Sequence, residues 1–243
     1  MTTATHSLHN QTVREIALAQ PASIRIFERY GIDYCCGGRK PLAEACAERS
    51  VAVDVVLQAL ELATYDPSQP QHNWASTPLA ELIAHIIATH HAYVTRELPR
   101  LQELADKVVA RHGAAHPELL TIQQIVQALA AELTQHLGKE ELVLFPYITQ
   151  MEQQAGKHGL PHSCFGTVAN PISMMEHEHD SAGRALAEIR KLSHNLTPPA
   201  DACPTWHAFY QAIKEFEADL HQHIHLENNI LHPRAIQMES AAR

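Results

Sequence analysis

Asp219–Pro233, DLHQHIHLENNILHP, is the stretch on which the reading of the chain turns. It continues a helical pattern with apolar positions at Phe209, Ile213, Phe216 and Leu220, which resumes at Ile230 and Leu231. Stepping by three and four through the gap lands on His223 and Glu227. Two metal-capable side chains thus continue the core stripe of a long helix, one turn apart. Burying an imidazole and a carboxylate without partners is costly. Several such groups converging in one core call for a metal ion.

A second copy supports this. His136–Pro146 reads HLGKEELVLFP and His223–Pro233 reads HIHLENNILHP; both fit H-x3-E-x3-L-x-P. His136 and Glu140 also extend an apolar stripe: Ile122, Val126, Leu129 and Leu133, then Val143 and Tyr147. Two copies with the same flanking Leu and Pro read as an internal repeat.

Composition narrows the class. The chain has 243 residues, 45% of them hydrophobic, and a formal net charge of −9. That is long enough for a sizeable core. No basic stripe is present, which argues against nucleic acid or an anionic membrane as partner. The 19 histidines outnumber the 5 Phe, 6 Tyr and 2 Trp together, and several fall on core stripes. The N-terminus MTTATHSLHNQ lacks the basic and apolar regions of a signal peptide. No stretch approaches the roughly 18 apolar residues of a membrane span. Five Cys, two of them adjacent, do not form a disulfide framework, so a cytoplasmic location is expected.

Residues 1–66 read as a small helical unit, with helices over Thr12–Ala19, Ala22–Tyr30, Pro41–Glu48 and Val53–Tyr65 and a C-cap at Gly31. Between them lies DYCCGG, Asp33–Gly38. Asp66–Pro78 is rich in Pro, Ser and Gln, so 67–77 is a linker. Residues 78–243 then hold four long helical patterns, over about 78–111, 117–154, 171–192 and 205–238. Thr77 is the expected N-cap of the first, Pro99 should kink it, and Pro146 should bend the second. No strand pattern appears. The fold class is all-α, an antiparallel four-helix bundle preceded by a small helical domain.

The first and third helices each add a histidine. His91 continues Ile83 and Ile87 toward Val94 and Leu98, and His179 continues Ile172 and Met175 toward Ala182 and Leu186. His91 precedes His136 by 45 residues and His179 precedes His223 by 44, so the bundle reads as two helix pairs, each giving H…H-x3-E. The inferred ligands are His91, His136, Glu140, His179, His223 and Glu227. Four imidazoles and two carboxylates suit two metals, each with two His, bridged by the two carboxylates. This donor set fits iron or manganese and admits zinc. Two iron ions with an oxo or hydroxo bridge are favoured because they allow redox chemistry. The other histidines read as surface residues or neighbours of the ligands, with His90 and His225 as the rivals for an assigned position.

Adjacent Cys35 and Cys36 cannot easily chelate one tetrahedral ion alone. In a Gly-rich turn they should be exposed and reactive. They read as a redox or transfer pair, as half of a metal site, or as two ordinary small residues. Cys46, Cys164 and Cys203 read as structural.

With these pieces together, the chain resembles the RIC (repair of iron centres) family, also called the YtfE/ScdA/NorA/DnrN group. RYGIDYCCGG matches its ScdA-type N-terminal domain. HIIATHHAYVTRELPRL, HLGKEELVLFP, MMEHEHDSAG and HIHLENNILHPRA match its hemerythrin-like bundle. The resemblance implies a cytoplasmic, non-haem di-iron protein that restores iron–sulfur clusters damaged by nitric oxide or peroxide. It places the family's ligands on the six residues above and its cysteine pair on Cys35 and Cys36, and it points to a homodimer. Oxygen-carrying hemerythrins resemble the bundle too but use a fifth histidine. Here Met175 and Gly183 flank His179 by four on either side, so no HxxxH pair exists. Three activities are compatible: supply of iron to damaged iron–sulfur proteins, reduction of nitric oxide to nitrous oxide, and binding of nitric oxide or oxygen. The sequence does not choose among them, nor say whether the protein is an enzyme.

Overall fold

The computed structural model describes residues 8–62, 73–154 and 159–242. The end of the expected Val53–Tyr65 helix, most of the 67–77 linker and His72 lie outside the described residues. These residues divide into two compact units: one up to Thr77 together with Ile224–Ile230, the other Pro78–His223 and from Leu231 on. Among the described residues every regular element is a helix, and the one β-contact is an isolated bridge between Thr12 and Pro41.

The first unit contains α1 (Val13–Ala19), α2 (Ser23–Tyr30), α3 (Leu42–Glu48) and α4 (Val53–Leu62). Thr12 starts α1 with a capping box: its hydroxyl accepts the Glu15 N–H, and the Glu15 carboxylate accepts the Thr12 N–H at 2.8 Å. Gly31 ends α2 in the left-handed conformation, φ 65°, as the sequence predicts. Val13, Ile16, Phe27, Leu42, Val56 and Leu60 are fully buried together. Tyr34 joins them, and its hydroxyl donates to Glu28 at 3.0 Å. The 33–38 turn is tied to α1, because Gly38 O accepts the Arg14 N–H at 2.8 Å. A Cβ at position 38 would stand 2.6 Å from Tyr34 O, so only glycine fits there.

The second unit is built on α5 (Leu79–Ile86), α6 (Ala92–His112), α7 (Glu118–Lys139), α8 (Phe145–Gln153), α9 (Ala169–Leu192), α10 (Pro204–Leu226) and α11 (His232–Ala242). Three π-helical turns interrupt these rods: π1 (Ile87–His91) joins α5 to α6, π2 (Glu140–Leu144) joins α7 to α8, and π3 (Glu227–Leu231) joins α10 to α11. The result is four long helical rods. α6 packs on α7, α7 on α9, α5 on α8, and α8 on α11. α6 turns into α7 through only 113–117, which makes that pair antiparallel.

Two sequence expectations change here. Thr77 does not cap α5; its hydroxyl donates to Asn73 O instead. The first N–H groups of α5, from Leu79 and Ala80, donate to the Glu152 carboxylate of α8 at 2.6 and 2.8 Å. A charged acceptor from a neighbouring rod both satisfies these donors and complements the helix dipole, which a local hydroxyl does less well. Val143 is not on the core stripe: it is 45% exposed, while Leu144 is buried. The π2 turn inserts one extra residue, so the buried face moves one position along. Helix α6 runs through Pro99, and a π-turn interrupts the same rod upstream at π1.

Candidate metal centre

Each of the six sequence-derived residues sits at a defined place on the rods. His91 ends π1, His136 stands on the last turn of α7, and Glu140 opens π2. His179 lies mid-way along α9, His223 near the end of α10, and Glu227 opens π3. All six are buried, Glu140 and Glu227 completely. π-Turns recur at functional sites because the extra residue re-aims a side chain. Pro146 and Pro233 each stand two positions past the end of a π-turn, after Phe145 and His232, and their missing N–H removes an α-type bond there.

The side chains converge in two groups of four. His91 and His223 meet Glu140 and Glu227; His136 and His179 meet the same two glutamates. Within each group the ligand atoms lie within 4.8 Å of one another. His91 Nε2 is 3.2 Å from His223 Nε2, and His136 Nε2 is 3.0 Å from His179 Nε2. One oxygen of Glu140, Oε2, stands 3.4 Å from both His91 Nε2 and His136 Nε2. It therefore addresses one imidazole of each group.

This donor set fits a pair of metal ions. At metal–nitrogen distances of about 2.1 Å, neighbouring ligand atoms sit roughly 3 Å apart, as the facing imidazole nitrogens do. A purely hydrogen-bonded core would place two like-charged carboxylates in a buried pocket without compensating charge. On two of the imidazoles the outward ring nitrogen is also occupied as a metal-bound imidazole requires. His91 Nδ1 donates to Glu141 Oε1 and His136 Nδ1 to Glu178 Oε2, both at 2.8 Å. Such carboxylates fix the tautomer and leave Nε2 free to ligate. Burial opposes ionisation of Glu178, but bonds from Lys139 and His136 prevail and hold its carboxyl below the usual range. The sequence reading did not single out Glu141 or Glu178. Each is chain-adjacent to a ligand, but only the packing of neighbouring rods shows which imidazole it meets.

The rival histidines stand apart from both groups. His90 is buried, its Nδ1 lies 3.0 Å from Asp219 Oδ1, and its ring stacks parallel to His223 at 5.6 Å. His225 faces Tyr34 instead. Its ring meets Tyr34 edge-on at 5.5 Å, and its Nδ1 accepts from Asn229 Nδ2 at 2.8 Å. Burial lowers the His225 pKa to about 4, so it is neutral near pH 7. His232 is fully buried and stacks parallel to His179 at 6.2 Å.

The cysteine pair differs from expectation. Cys35 is only 5% exposed, Cys36 is half-buried, and both are free thiols. Asp33 accepts the Cys35 N–H at 3.0 Å and its thiol at 3.3 Å, and the two sulfurs lie 3.9 Å apart. The hydrogen bond with Cys36, then burial, pushes the Cys35 thiol well above its ordinary pKa. An exposed, activated pair is thus not what this turn presents. The Asp33 side chain folds the turn inward and stabilises the protonated thiol.

Fold and site define a class: a hemerythrin-type cation-binding helical bundle that follows a small helical domain. Residues 82–235 match the hemerythrin HHE cation-binding domain, and residues 9–64 match the ScdA_N domain, described as of unknown function. Over 95% of its length, covering 98% of each relative, the chain is 39% identical to the iron–sulfur cluster repair protein YtfE of Pectobacterium carotovorum subsp. carotovorum (strain PC1). It is 40% identical to those of Musicola paradisiaca (strain Ech703) and Escherichia coli O81 (strain ED1a), again over 95% of its length and 98% of theirs. The chain belongs to this YtfE family of two-domain, hemerythrin-like proteins.

Proposed function

We propose that this protein holds two iron ions between His91, His136, Glu140, His179, His223 and Glu227, and supplies iron for the repair of damaged iron–sulfur clusters. The observation that carries this reading is the pair of buried four-residue groups that share both glutamates. The relatives named above as cluster repair proteins support the same direction, and their names do not speak of nitric oxide turnover. The division into 1–66, a 67–77 linker and 78–243 belongs to this reading. So do a cytoplasmic setting, a homodimer, nitric oxide or oxygen as small ligands, and a role under nitrosative or oxidative stress. Among the described residues no helix is long and apolar enough to cross a membrane.

Each residue type has a task in such a donor. The imidazoles hold iron through neutral nitrogen and exchange it more readily than a thiolate cage would. The two glutamates bring two negative charges to the site, and each belongs to both groups. Glu141 and Glu178 orient His91 and His136. When bound, the iron pair supplies redox chemistry, and a change of its charge alters how firmly this neutral-and-anionic set retains it.

The test is metal analysis of anaerobically purified protein together with iron transfer to an apo iron–sulfur protein. Two irons per chain that move to the acceptor and rebuild its cluster support the proposal. Replacing Glu227 with Ala should drop bound iron sharply, and full retention of two ions would sink the shared-carboxylate assignment. Multiple-turnover nitrous oxide formation under reductant, without transfer, would make the protein a nitric oxide reductase instead.

A further inference from the structure

We propose that the two metal positions are inequivalent: the ion held by His91 and His223 is the one that exchanges, and Glu141 is the positioning residue that governs its departure. This inference rests on the iron-supply reading. It starts from a near-symmetry. Each position has one imidazole steadied by a carboxylate, His91 by Glu141 and His136 by Glu178, both at 2.8 Å.

The two supports are built differently. Glu178 is clamped from two sides, because Lys139 Nζ donates to one of its oxygens and His136 to the other. Among the described residues, no lysine or arginine pairs with Glu141; its ion-pair partner is His91 alone. Glu141 is also the more exposed, 42% against 30%. It lies in a groove of about 710 Å³ between α6 and α7, beside Thr95, Thr134 and Gly138. Among the described residues no other charged side chain lines that groove. The backbones differ as well: His136 stands on regular α7, whereas His91 ends the π1 turn.

These differences act on release in one direction. Glu141 opens onto the groove, so one solvated carboxylate must swing away to loosen His91. Loosening His136 requires breaking a carboxylate held by two charge-assisted bonds. An uncompensated carboxylate also makes its imidazole more basic and a better ligand. At 42% exposure solvent screens that opposing effect, while the mobility remains. The groove end of the site therefore opens first, and the Lys139–Glu178 side keeps its ion and the shape of the pocket.

The experiment is anaerobic reconstitution of the full chain with ferrous iron, followed by rapid mixing with excess chromogenic ferrous chelator. Wild type should release iron in two phases of equal amplitude. Glu141→Gln should speed the fast phase about tenfold or more and leave the slow phase alone. Lys139→Met should speed only the slow phase. General loosening of the bundle would move both phases in either variant and would overturn the assignment. A single phase in wild type, or a slow phase that responds to Glu141→Gln, would overturn it too. Absence of two bound irons in reconstituted wild type would defeat the repair reading itself. Two irons with the phases wrongly assigned would defeat only this inference.

Discussion

At the scale of single residues the site is a balance of charge. Glu140 and Glu227 are completely buried and within 4.8 Å of the same imidazoles. Bound cations make that arrangement favourable; without them two carboxylates repel in a poorly solvated place. Glu140→Gln should therefore change sign with metal. In metal-free protein it should raise stability by about 1–3 kcal/mol, since one buried charge is gone. In iron-loaded protein it should lower stability and cost at least one bound ion. Urea denaturation with and without chelator checks both halves, and the same sign in both would contradict a charge-balanced metal pocket. The six convergent residues were legible in the sequence because polar side chains broke apolar stripes at matching offsets. Glu141 and Glu178 were not, since their partners come from other rods and no periodicity encodes a contact across helices. The state of Cys35 was illegible for a related reason: the inward turn depends on an Asp33 side chain whose direction spacing does not reveal.

At the scale of elements the π-turns carry the geometry. Sequence periodicity gave four rods and their apolar faces, yet it assumed 3.6 residues per turn throughout and so put Val143 inside. Leu142 tests the consequence. Its side chain is 80% exposed, so Leu142→Ala should change stability by no more than about 0.5 kcal/mol. Deleting Leu142 should let this segment wind as a regular α-helix, because the π-turn holds one residue more than the α-turn it replaces. Phe145, Ile148 and Met151 then keep their face, and Phe145 keeps its stacking on His91 at 5.5 Å. What changes is the aim of Glu141 within the turn, so the deletion should cost bound metal and leave the bundle folded, which metal analysis beside urea denaturation checks. Unchanged metal binding would mean that the π-turn is not what aims the side chains of the site. The loops at the other end of α6 and α7 hold a different kind of tie. His116 bonds Asp201 at 3.0 Å and Glu118 at 3.1 Å. The bond to Asp201 raises the His116 pKa, and the bond to His116 lowers that of Asp201. The histidine's contribution is complete below its unfolded pKa and fades as pH rises through the higher folded value. The aspartate's is complete above its unfolded pKa and fades as pH falls through the lower folded one. The tie is thus strongest between about pH 4 and 6.5. Asp201→Asn should lower the melting temperature more at about pH 5.5 than at about pH 8.5. An equal loss at both would show that charge is not what joins these loops. Asp201 is exposed and His116 partly so, and solvent screening keeps the effect small.

At the scale of the whole molecule the proposed metal pair would be part of the fold without being its foundation. A protein that gives up iron has to survive empty. The bundle has the means: Ile122, Val126, Leu129 and Leu133 on α7 and Leu186 and Ile189 on α9 are buried away from the ligands. Glu239 on α11 adds a tie that needs no metal, accepting from Val168 N–H at 2.9 Å and Thr167 Oγ1 at 2.6 Å. Ion binding to the folded chain alone stabilises it by mass action, about 2.7 kcal/mol at a hundredfold excess over Kd. For a chain of this size, each kcal/mol moves the melting temperature by about 2–4 °C. Chelation should therefore lower it by roughly 5–11 °C while far-ultraviolet circular dichroism at 25 °C stays helical. The Glu227→Ala variant, short of one shared carboxylate, should lose less on chelation because it held less to begin with. Collapse of helicity in wild type on removing iron would show the metal to be a structural staple. A staple cannot be handed on without unfolding the donor, and supply of iron from this site would then have to be abandoned as its function.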